Sequence, residues 1–574
     1  MSLAPVYTQM LSVLTGPDTP FTIGEGTVNG RTHKVYEKGP PQVRLLWLFS
    51  EANPDDMYLV FEDERMTWGE ARQRVLEIAN GLINDHGVKP GESVGIAMRN
   101  YPEWVLAFWA IQMAGAVAVE HNSFWNGEEL TYGVTDSGSR VMIVDSERHA
   151  ALQPHADAIR DGGLDLEFIV VRADGDLGER AVHWADVNGG TEIPDLPEEV
   201  CGHESRSVMV YTSGTTAFPK GVVHTQRNVV TNLFNMLTMT VGLRMAETAA
   251  AGGDPAAAAG GDDAGPVMLV AVPLFHVTGS HCVMMPITAA KGTLVLMRKW
   301  DAGLALELIE REKVTTFTGV PTMTMDILAH PDFESTDTST LVSLGSGGAP
   351  NPPHMVEKVN STVENASPTQ GYGLSEVSGI ATANGGSMYL AKPGSCGLKA
   401  PVSDMKVIDD DGNEVPAGER GELCIYGPHV FAEYHNKPEA TAEAIDADGW
   451  FHTGDVAIID EEGYVFIVDR AKDVVIRGGE NIGSAEVEAA IAQHPNVHEC
   501  AVFGVPHDRL GEEVGVAIYP IAGQSVEAAD IQTFAGERLA SFKVPAHVFV
   551  YDEPLPKNAN GKILKRQLRD NAAS

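Results

Sequence analysis

The chain alternates between two spacings of apolar residues. Thr67 stands before an amphipathic run that ends near Leu82, which predicts a helix with Thr67 as its N-cap. Ser93-Val94-Gly95-Ile96-Ala97-Met98 follows as a short apolar run of strand length. Next, Trp104 to Val119 forms a 16-residue apolar stretch, interrupted by Gln112 and bounded by Glu103 and Glu120. That is short for a membrane span and predicts a buried helix. Residues 66–115 therefore read as helix, strand, helix, and the alternation continues to about residue 400. Such a pattern predicts an α/β fold with parallel or mixed sheets.

Beyond Ile408 the texture changes to short β-rich runs separated by tight turns, Asp410-Asp411-Gly412-Asn413 and Glu461-Glu462-Gly463. The last hundred residues mix helix and strand again, with Ser484 as expected N-cap for Glu486 to Gln493. A boundary at Asp469-Arg470 divides the chain into residues 1–470 and 471–574. Residues 246–266 are rich in Ala, Gly and Asp and lack large apolar groups, so a mobile surface loop is expected there.

Composition narrows the function. Of 574 residues, 40 are Lys or Arg and 79 are Asp or Glu, a net charge of −39. A surface so acidic repels nucleic-acid backbones and anionic lipid. If the ligands are themselves polyanions, the few cations must be gathered at the site. The five cysteines, Cys201, Cys282, Cys396, Cys424 and Cys500, include no C-x-x-C pair, so neither a disulfide framework nor a structural zinc site is expected. Met1 to Pro5 lack the order of a signal peptide, and Ala573-Ser574 is not a peroxisomal address, which fits a cytoplasmic enzyme.

Several segments carry chemistry. Tyr211-Thr212-Ser213-Gly214-Thr215-Thr216-Ala217-Phe218-Pro219-Lys220-Gly221 lies between two apolar strands. Its hydroxyls, glycine N–H groups and lysine suit a triphosphate, although a plain Ser/Thr-rich turn has the same composition. It is not a Walker A loop, because G-x-x-x-x-G-K-[ST] is absent. Gly345-Ser346-Gly347-Gly348-Ala349-Pro350 suits a strand end against a flat ligand and lacks the dinucleotide spacing G-x-G-x-x-G. Gln370-Gly371-Tyr372-Gly373-Leu374-Ser375-Glu376 offers an aromatic ring and a carboxylate able to hold Mg2+. Asp455, in Phe451-His452-Thr453-Gly454-Asp455, and Arg470, in Asp469-Arg470-Ala471-Lys472-Asp473, could bond ribose or phosphate. Pro556-Lys557-Asn558-Ala559-Asn560-Gly561-Lys562 reads alone as a solvated basic tail. No serine has glycine two before and two after it, so a hydrolase elbow is missing.

In this order the segments resemble the acyl-adenylate-forming superfamily of acyl-CoA synthetases, aryl-CoA ligases, luciferases and peptide-synthetase adenylation domains. The resemblance covers about residues 60–570. It implies a large N-terminal domain of stacked α/β subdomains with a β-rich subdomain, and a small mobile α+β C-terminal domain. It further implies that Thr212, Ser213, Gly214, Thr215, Thr216 and Lys220 hold the phosphates of ATP. Gly348, Ala349, Pro350, Tyr372 and Gly373 would border adenine, Ser375 and Glu376 would meet the α-phosphate and Mg2+, and Asp455 and Arg470 would hold ribose. Lys562 would bridge the substrate carboxylate and the α-phosphate. The C-terminal domain would then turn about Lys472 and bring Gly478, Gly479 and Glu480 to the pantetheine of coenzyme A, with Arg509 and Lys543 as candidates for its phosphates.

Leu274-Phe275-His276-Val277-Thr278-Gly279 matches the segment lining the acyl pocket, with His276 as its gate, and it holds no aspartate for an α-ammonium group. The implied substrates are a carboxylic acid, first a fatty acid and second an aryl or arylalkanoic acid, with ATP and CoA. Transfer to a carrier protein is an alternative final step. A homodimer is compatible with the resemblance; nucleic-acid and integral-membrane partners are not expected.

Overall fold

The structure is a computed structural model. It describes residues 3–572 except 51, 213–218, 261–264, 350, 352, 471–473, 478–479, 508–509, 540 and 559–560, with the backbone alone for 469, 470, 480, 481 and 511. Two large sheets organise the N-terminal domain. One has eight strands in the order Glu433–Tyr434, Lys220–Thr225, Arg206–Thr212, Val117–Glu120, Ser93–Ala97, Val141–Asp145, Glu167–Val171, Ala181–His183. Six of these pair in parallel, from Arg206–Thr212 to the Ala181–His183 edge, while the other edge is an antiparallel hairpin closed by Glu433–Tyr434. The second sheet has nine strands, parallel at its centre and antiparallel at both ends. The sheets are mixed, within the range the apolar spacing predicts.

Burial explains the continuous apolar run. Helix Pro102–Met113 has nearly all its residues buried and shares one core with Val94 and Val208 of the first sheet and Leu269 and Val295 of the second. A helix covered on every side needs no polar face. Its Trp109 stacks on Trp47, which packs at a tilt against Tyr58 and Trp68, with ring centroids 4.1 to 5.5 Å apart across the cluster. Among the described residues no helix is long and apolar enough to cross a membrane.

Local signals act where the sequence puts them. Thr67 caps helix Trp68–Asn84 in a reciprocal arrangement with Glu70, whose side chain accepts from the Thr67 N–H. Both predicted turns form, each with glycine at positive φ (Gly412 at 83°, Gly463 at 84°) and with an aspartate, Asp409 or Asp460, accepting from the turn N–H groups. They link strands Asp404–Ile408, Arg420–Tyr426, Phe451–Ile459 and Val465–Arg470 into a four-stranded antiparallel sheet. From Val475 the chain enters a separate five-stranded sheet, flanked by helices Ser484–Ile491, Ala528–Gly536 and Lys565–Ala572, which forms the small C-terminal domain.

Two expectations need correcting. Gly483, not Ser484, occupies the N-cap of helix Ser484–Ile491, because the Ser484 hydroxyl is already taken by the Lys565 ammonium at 2.6 Å. Residues 246–266 are not simply a loop. Helix Gln226–Ala250 takes in residues 246–250, and Asp254 caps a short helix, Pro255–Ala259, tied back by Arg244 donating to the Gly260 carbonyl. Alanine supplies helix propensity without side-chain entropy loss, which outweighs the lack of apolar bulk.

Buried histidines give the fold a pH signature. His121, His281 and His429 are fully buried, and that burial lowers them to about 3, 4 and 4; His224 is lowered for the same reason, and half-buried His276 falls to about 4. In the unfolded chain each takes a proton near pH 6.5. The stability tied to these neutral rings is therefore complete above that pH and is lost as pH falls from there toward about 4, at about 1.4 kcal/mol per pH unit for each ring. Replacing His429, whose two ring nitrogens lack partners, by Gln is expected to flatten the fall of urea midpoint between pH 6.5 and 4.5. An unchanged slope would refute this.

Candidate active site

The first sheet's edge hairpin and the C-terminal ends of the second sheet's central strands face a cavity of about 1190 Å³. Thr212 and Lys220 face each other as partners across the hairpin, and both line this space. The intervening Ser213, Gly214, Thr215 and Thr216 lie outside the described residues. Gly347 and Gly348 line the cavity at the end of strand Ser343–Gly347, and Gly348 takes φ 73°, a conformation that strains any residue with a β-carbon. Ala349 follows but is not in the lining, and Pro350 is outside the described residues.

The next segment makes one wall. Tyr372, Gly373, Ser375 and Glu376 all line the cavity. A β-carbon on Gly373 would stand 1.6 Å from the Gly379 carbonyl oxygen, so only glycine fits. The Tyr372 hydroxyl donates to Asp455 Oδ2 at 2.7 Å. Burial first, then the Asp455 charge, raises the tyrosine well above its ordinary range, so it stays a donor. Asp455 in turn pairs with Arg470 across the antiparallel strands, placing the expected ribose pair at one rung; the Arg470 side chain is not described.

Glu376 and Lys220 are joined by a residue the sequence did not single out. The Tyr434 hydroxyl donates to Glu376 Oε1 at 2.7 Å, and the Lys220 ammonium sits 4.1 Å from the centre of the same ring. One tyrosine thus holds a cation on its face and an anion at its tip, keeping the two charges from collapsing onto each other. Glu376 is the only carboxylate among the described lining residues, with Oε1 fixed by Tyr434 and a second oxygen available, which fits a hard cation such as Mg2+.

The C-terminal domain closes the site. Asn558 and Lys562 line the cavity, and Asn558 Oδ1 accepts from the Lys562 backbone N–H at 2.9 Å. The Lys562 charge reaches His276 and, after burial, is the second cause of its lowered pKa. His276 Nδ1 accepts from the Thr278 N–H, which leaves the proton of the neutral ring on Nε2. Among the described lining residues the cations are Lys220, Arg244 and Lys562 and the one carboxylate is Glu376; Arg244 lies on the stretch along helix Gln226–Ala250, away from the expected phosphate loop. Lys472, Gly478 and Gly479 lie outside the described residues, as does Arg509, and the side chain of Glu480 is not described. Lys543 is engaged by Glu486 at 2.6 Å.

A cleft lined by Thr212, Lys220, Gly348, Tyr372 and Glu376, with Lys562 reaching it from the C-terminal domain, has the make-up of an adenylate-forming enzyme. The sequence agrees. Residues 47–435 match the AMP-binding enzyme family and residues 486–562 match the AMP-binding enzyme C-terminal domain. The chain belongs to this family and is an AMP-forming acyl-CoA synthetase. Feruloyl-CoA synthase of Amycolatopsis sp is 35% identical over 507 residues, 88% of this chain and 93% of that one. The long-chain-fatty-acid–CoA ligase FadD13 of Mycobacterium tuberculosis is 33% identical over 514 residues, with 88% and 93% covered. The crystal structure of ATP-bound MatB from Rhodopseudomonas palustris superimposes with a TM-score of 0.78 at 27% identity, covering 92% of this chain and 99% of that one.

Tyr434→Phe keeps the ring beneath Lys220 and removes the hydroxyl from Glu376. Loss of one charge-assisted hydrogen bond is expected to lower kcat/KM for ATP about tenfold. Pyrophosphate release at graded ATP concentrations measures this, and an unaltered value would rule out the coupling.

Proposed function

We propose that the protein joins a fatty acid to coenzyme A through an acyl-adenylate. The carrying observation is the cavity's length. Beyond His276 it follows helix Gln226–Ala250 from Met236 to Arg244, with Met239 and Leu243 between, and Met268, Ile287 and Met388 lining it too. Eight residues of helix rise about 12 Å at 1.5 Å each. An unbranched apolar tail fills such a channel, and methionine adapts to a flexible one.

The residues divide the work. Tyr372 borders adenine while its hydroxyl steadies Asp455, which with Arg470 orients ribose, and Lys220 meets the outer phosphates. Lys562 bridges the acid's carboxylate and the α-phosphate, holding them in line. A carboxylate is already a nucleophile, so no general base is required. Its oxygen bonds to the α-phosphorus as the bond to pyrophosphate breaks, and the charge spread over the α-phosphoryl oxygens is stabilised by Lys562. Mg2+ held by Glu376 would supply further positive charge there. His276, half-buried and neutral, marks the boundary between the polar and apolar halves. In the second half-reaction the C-terminal domain turns about Lys472, withdrawing Lys562 and presenting Gly478 and Gly479 to pantetheine. The thiol then attacks the acyl carbonyl, AMP leaves, and the thiol proton passes to solvent.

A second reading has one specific support, the 35% identity to a feruloyl-CoA synthase, which favours an aryl acid. A panel of acids read by pyrophosphate release, with and without CoA, separates the two. Saturated acids are expected to exceed hydroxycinnamates at least tenfold in kcat/KM. The reverse order would establish the aryl reading, and no thioester from any acid would reject both.

Lys562→Ala is expected to lower acid-dependent pyrophosphate release at least a hundredfold while sparing thioester formation from supplied acyl-AMP. Gly479→Leu is expected to do the opposite. Equal loss of both half-reactions in either variant would overturn that residue's role.

A further inference from the structure

Behind the ribose-binding turn lies a cluster that the ligase reaction does not use. Cys424 and His452 are direct partners across strands Arg420–Tyr426 and Phe451–Ile459, and Glu422 lies two residues along on the same face, beside a register shift. One ligand atom from each of the three lies within 4.8 Å of the others. Cys424 Sγ is 3.7 Å and Glu422 Oε2 is 3.1 Å from His452 Nδ1. In a tetrahedral zinc site, with Zn–S about 2.3 Å and Zn–N or Zn–O about 2.0–2.1 Å, sulfur and nitrogen stand about 3.5 Å apart and nitrogen and oxygen about 3.4 Å. The donor atoms are already spaced for such an ion.

The fourth group supports the same reading. Asp446 Oδ2 lies 3.5 Å from His452 Nε2. Its other oxygen is pinned by the N–H groups of Asp448 and Trp450, both at 2.9 Å. A carboxylate taking the Nε2 proton leaves Nδ1 to the metal, the arrangement that orients histidine ligands in zinc sites. Glu422 and His452 are about one-third exposed, at 34% and 29% of their side chains, so an ion can enter from solvent and a fourth position stays open.

We propose that Glu422, Cys424 and His452 form a binding site for a borderline-soft divalent cation, Zn2+ foremost, distinct from the Mg2+ expected at Glu376. Thiolate, imidazole and carboxylate together select Zn2+ over Mg2+. Binding forms bonds to Sγ, Nδ1 and a Glu422 oxygen and releases the thiol proton to solvent, with no change of oxidation state. The net charge of −39 concentrates cations at the surface, which favours loading. The site is coupled to nucleotide binding, because Glu422 Oε1 accepts from the Gly454 N–H at 3.0 Å and Gly454 lines the cavity one residue before Asp455. An ion that draws Glu422 toward Cys424 pulls on that turn and weakens the grip on ATP.

The test uses the full chain, stripped with a chelator and titrated with Co2+ and then Zn2+. One equivalent of Co2+ is expected to bind with a thiolate-to-cobalt charge-transfer band that Zn2+ abolishes and excess Mg2+ does not. Cys424→Ser should lose the band, bind Zn2+ at least tenfold more weakly, and keep metal-free activity, while Zn2+ should raise KM for ATP at least threefold in the wild type only. Should Cys424→Ser fail to fold, Glu422→Gln, which keeps an acceptor for Gly454, should weaken Zn2+ at least tenfold by calorimetry. Absence of stoichiometric binding, or a band that survives in Cys424→Ser, would overturn the proposal; the first outcome would leave His452 as a proton-bridged partner of two carboxylates.

Discussion

An acidic protein that works on polyanions must confine its positive charge to the place where the phosphates lie, and every other feature of the site serves that confinement. Among its described lining residues the cavity has Lys220, Lys562 and, along helix Gln226–Ala250, Arg244, against the single carboxylate Glu376, in a chain with 39 more acidic than basic residues. Outside it, many basic side chains are tied up in pairs, such as Lys34 with Asp404, Arg172 with Glu64 and Lys543 with Glu486. The field of the whole protein repels ATP at long range, so attraction must come from groups held at contact distance. Tyr434 lets Lys220 and Glu376 keep opposite charges close together without neutralising each other.

The architecture places these charges by combining three sheets. The hairpin of the first sheet supplies Lys220, the second sheet ends on Gly348 and Tyr372, and the four-stranded sheet carries Asp455. Strand Glu433–Tyr434 is the clasp. It lies in sequence between strands Arg420–Tyr426 and Phe451–Ile459 of the four-stranded sheet yet pairs with Lys220–Thr225 of the first sheet, so it fixes the first sheet against the wall that holds Glu376. The C-terminal domain adds Lys562 from a separate core built around Val475, Val487, Val502 and Val516. A lysine on a unit with its own core can be presented or withdrawn without disturbing the rest.

How far the sequence reveals this depends on the kind of signal. Helix Trp68–Asn84 was legible because Thr67 and Glu70 form a local reciprocal cap, and the Gly412 and Gly463 turns because their backbone needs are local. That Lys220, Glu376 and Lys562 face one cavity could be anticipated because a contiguous motif surrounds each. Tyr434 was not, since its partner lies 58 residues away and an aromatic in a two-residue strand carries no periodic mark. The helix content of 246–250 and 255–259 was also hidden, because alanine-rich composition fits both a helix and a bland loop. The Glu422, Cys424 and His452 cluster arises only from strand pairing, which cysteine spacing cannot report.

Helix Gln226–Ala250 touches the N-terminal helix Ala4–Leu14, the cavity between Met236 and Arg244, and the short helix Pro255–Ala259. On the proposed fatty-acid reading it acts as a graduated rule laid beside the substrate. Positions one turn apart along it are separated by about 5.4 Å, so a bulky side chain exchanged for a small one at Met236, Thr240 or Arg244 shifts the stopping point of a tail in coarse steps. On that reading, selectivity for length can drift through single substitutions on one helical stripe, while the nucleotide half of the cleft stays untouched.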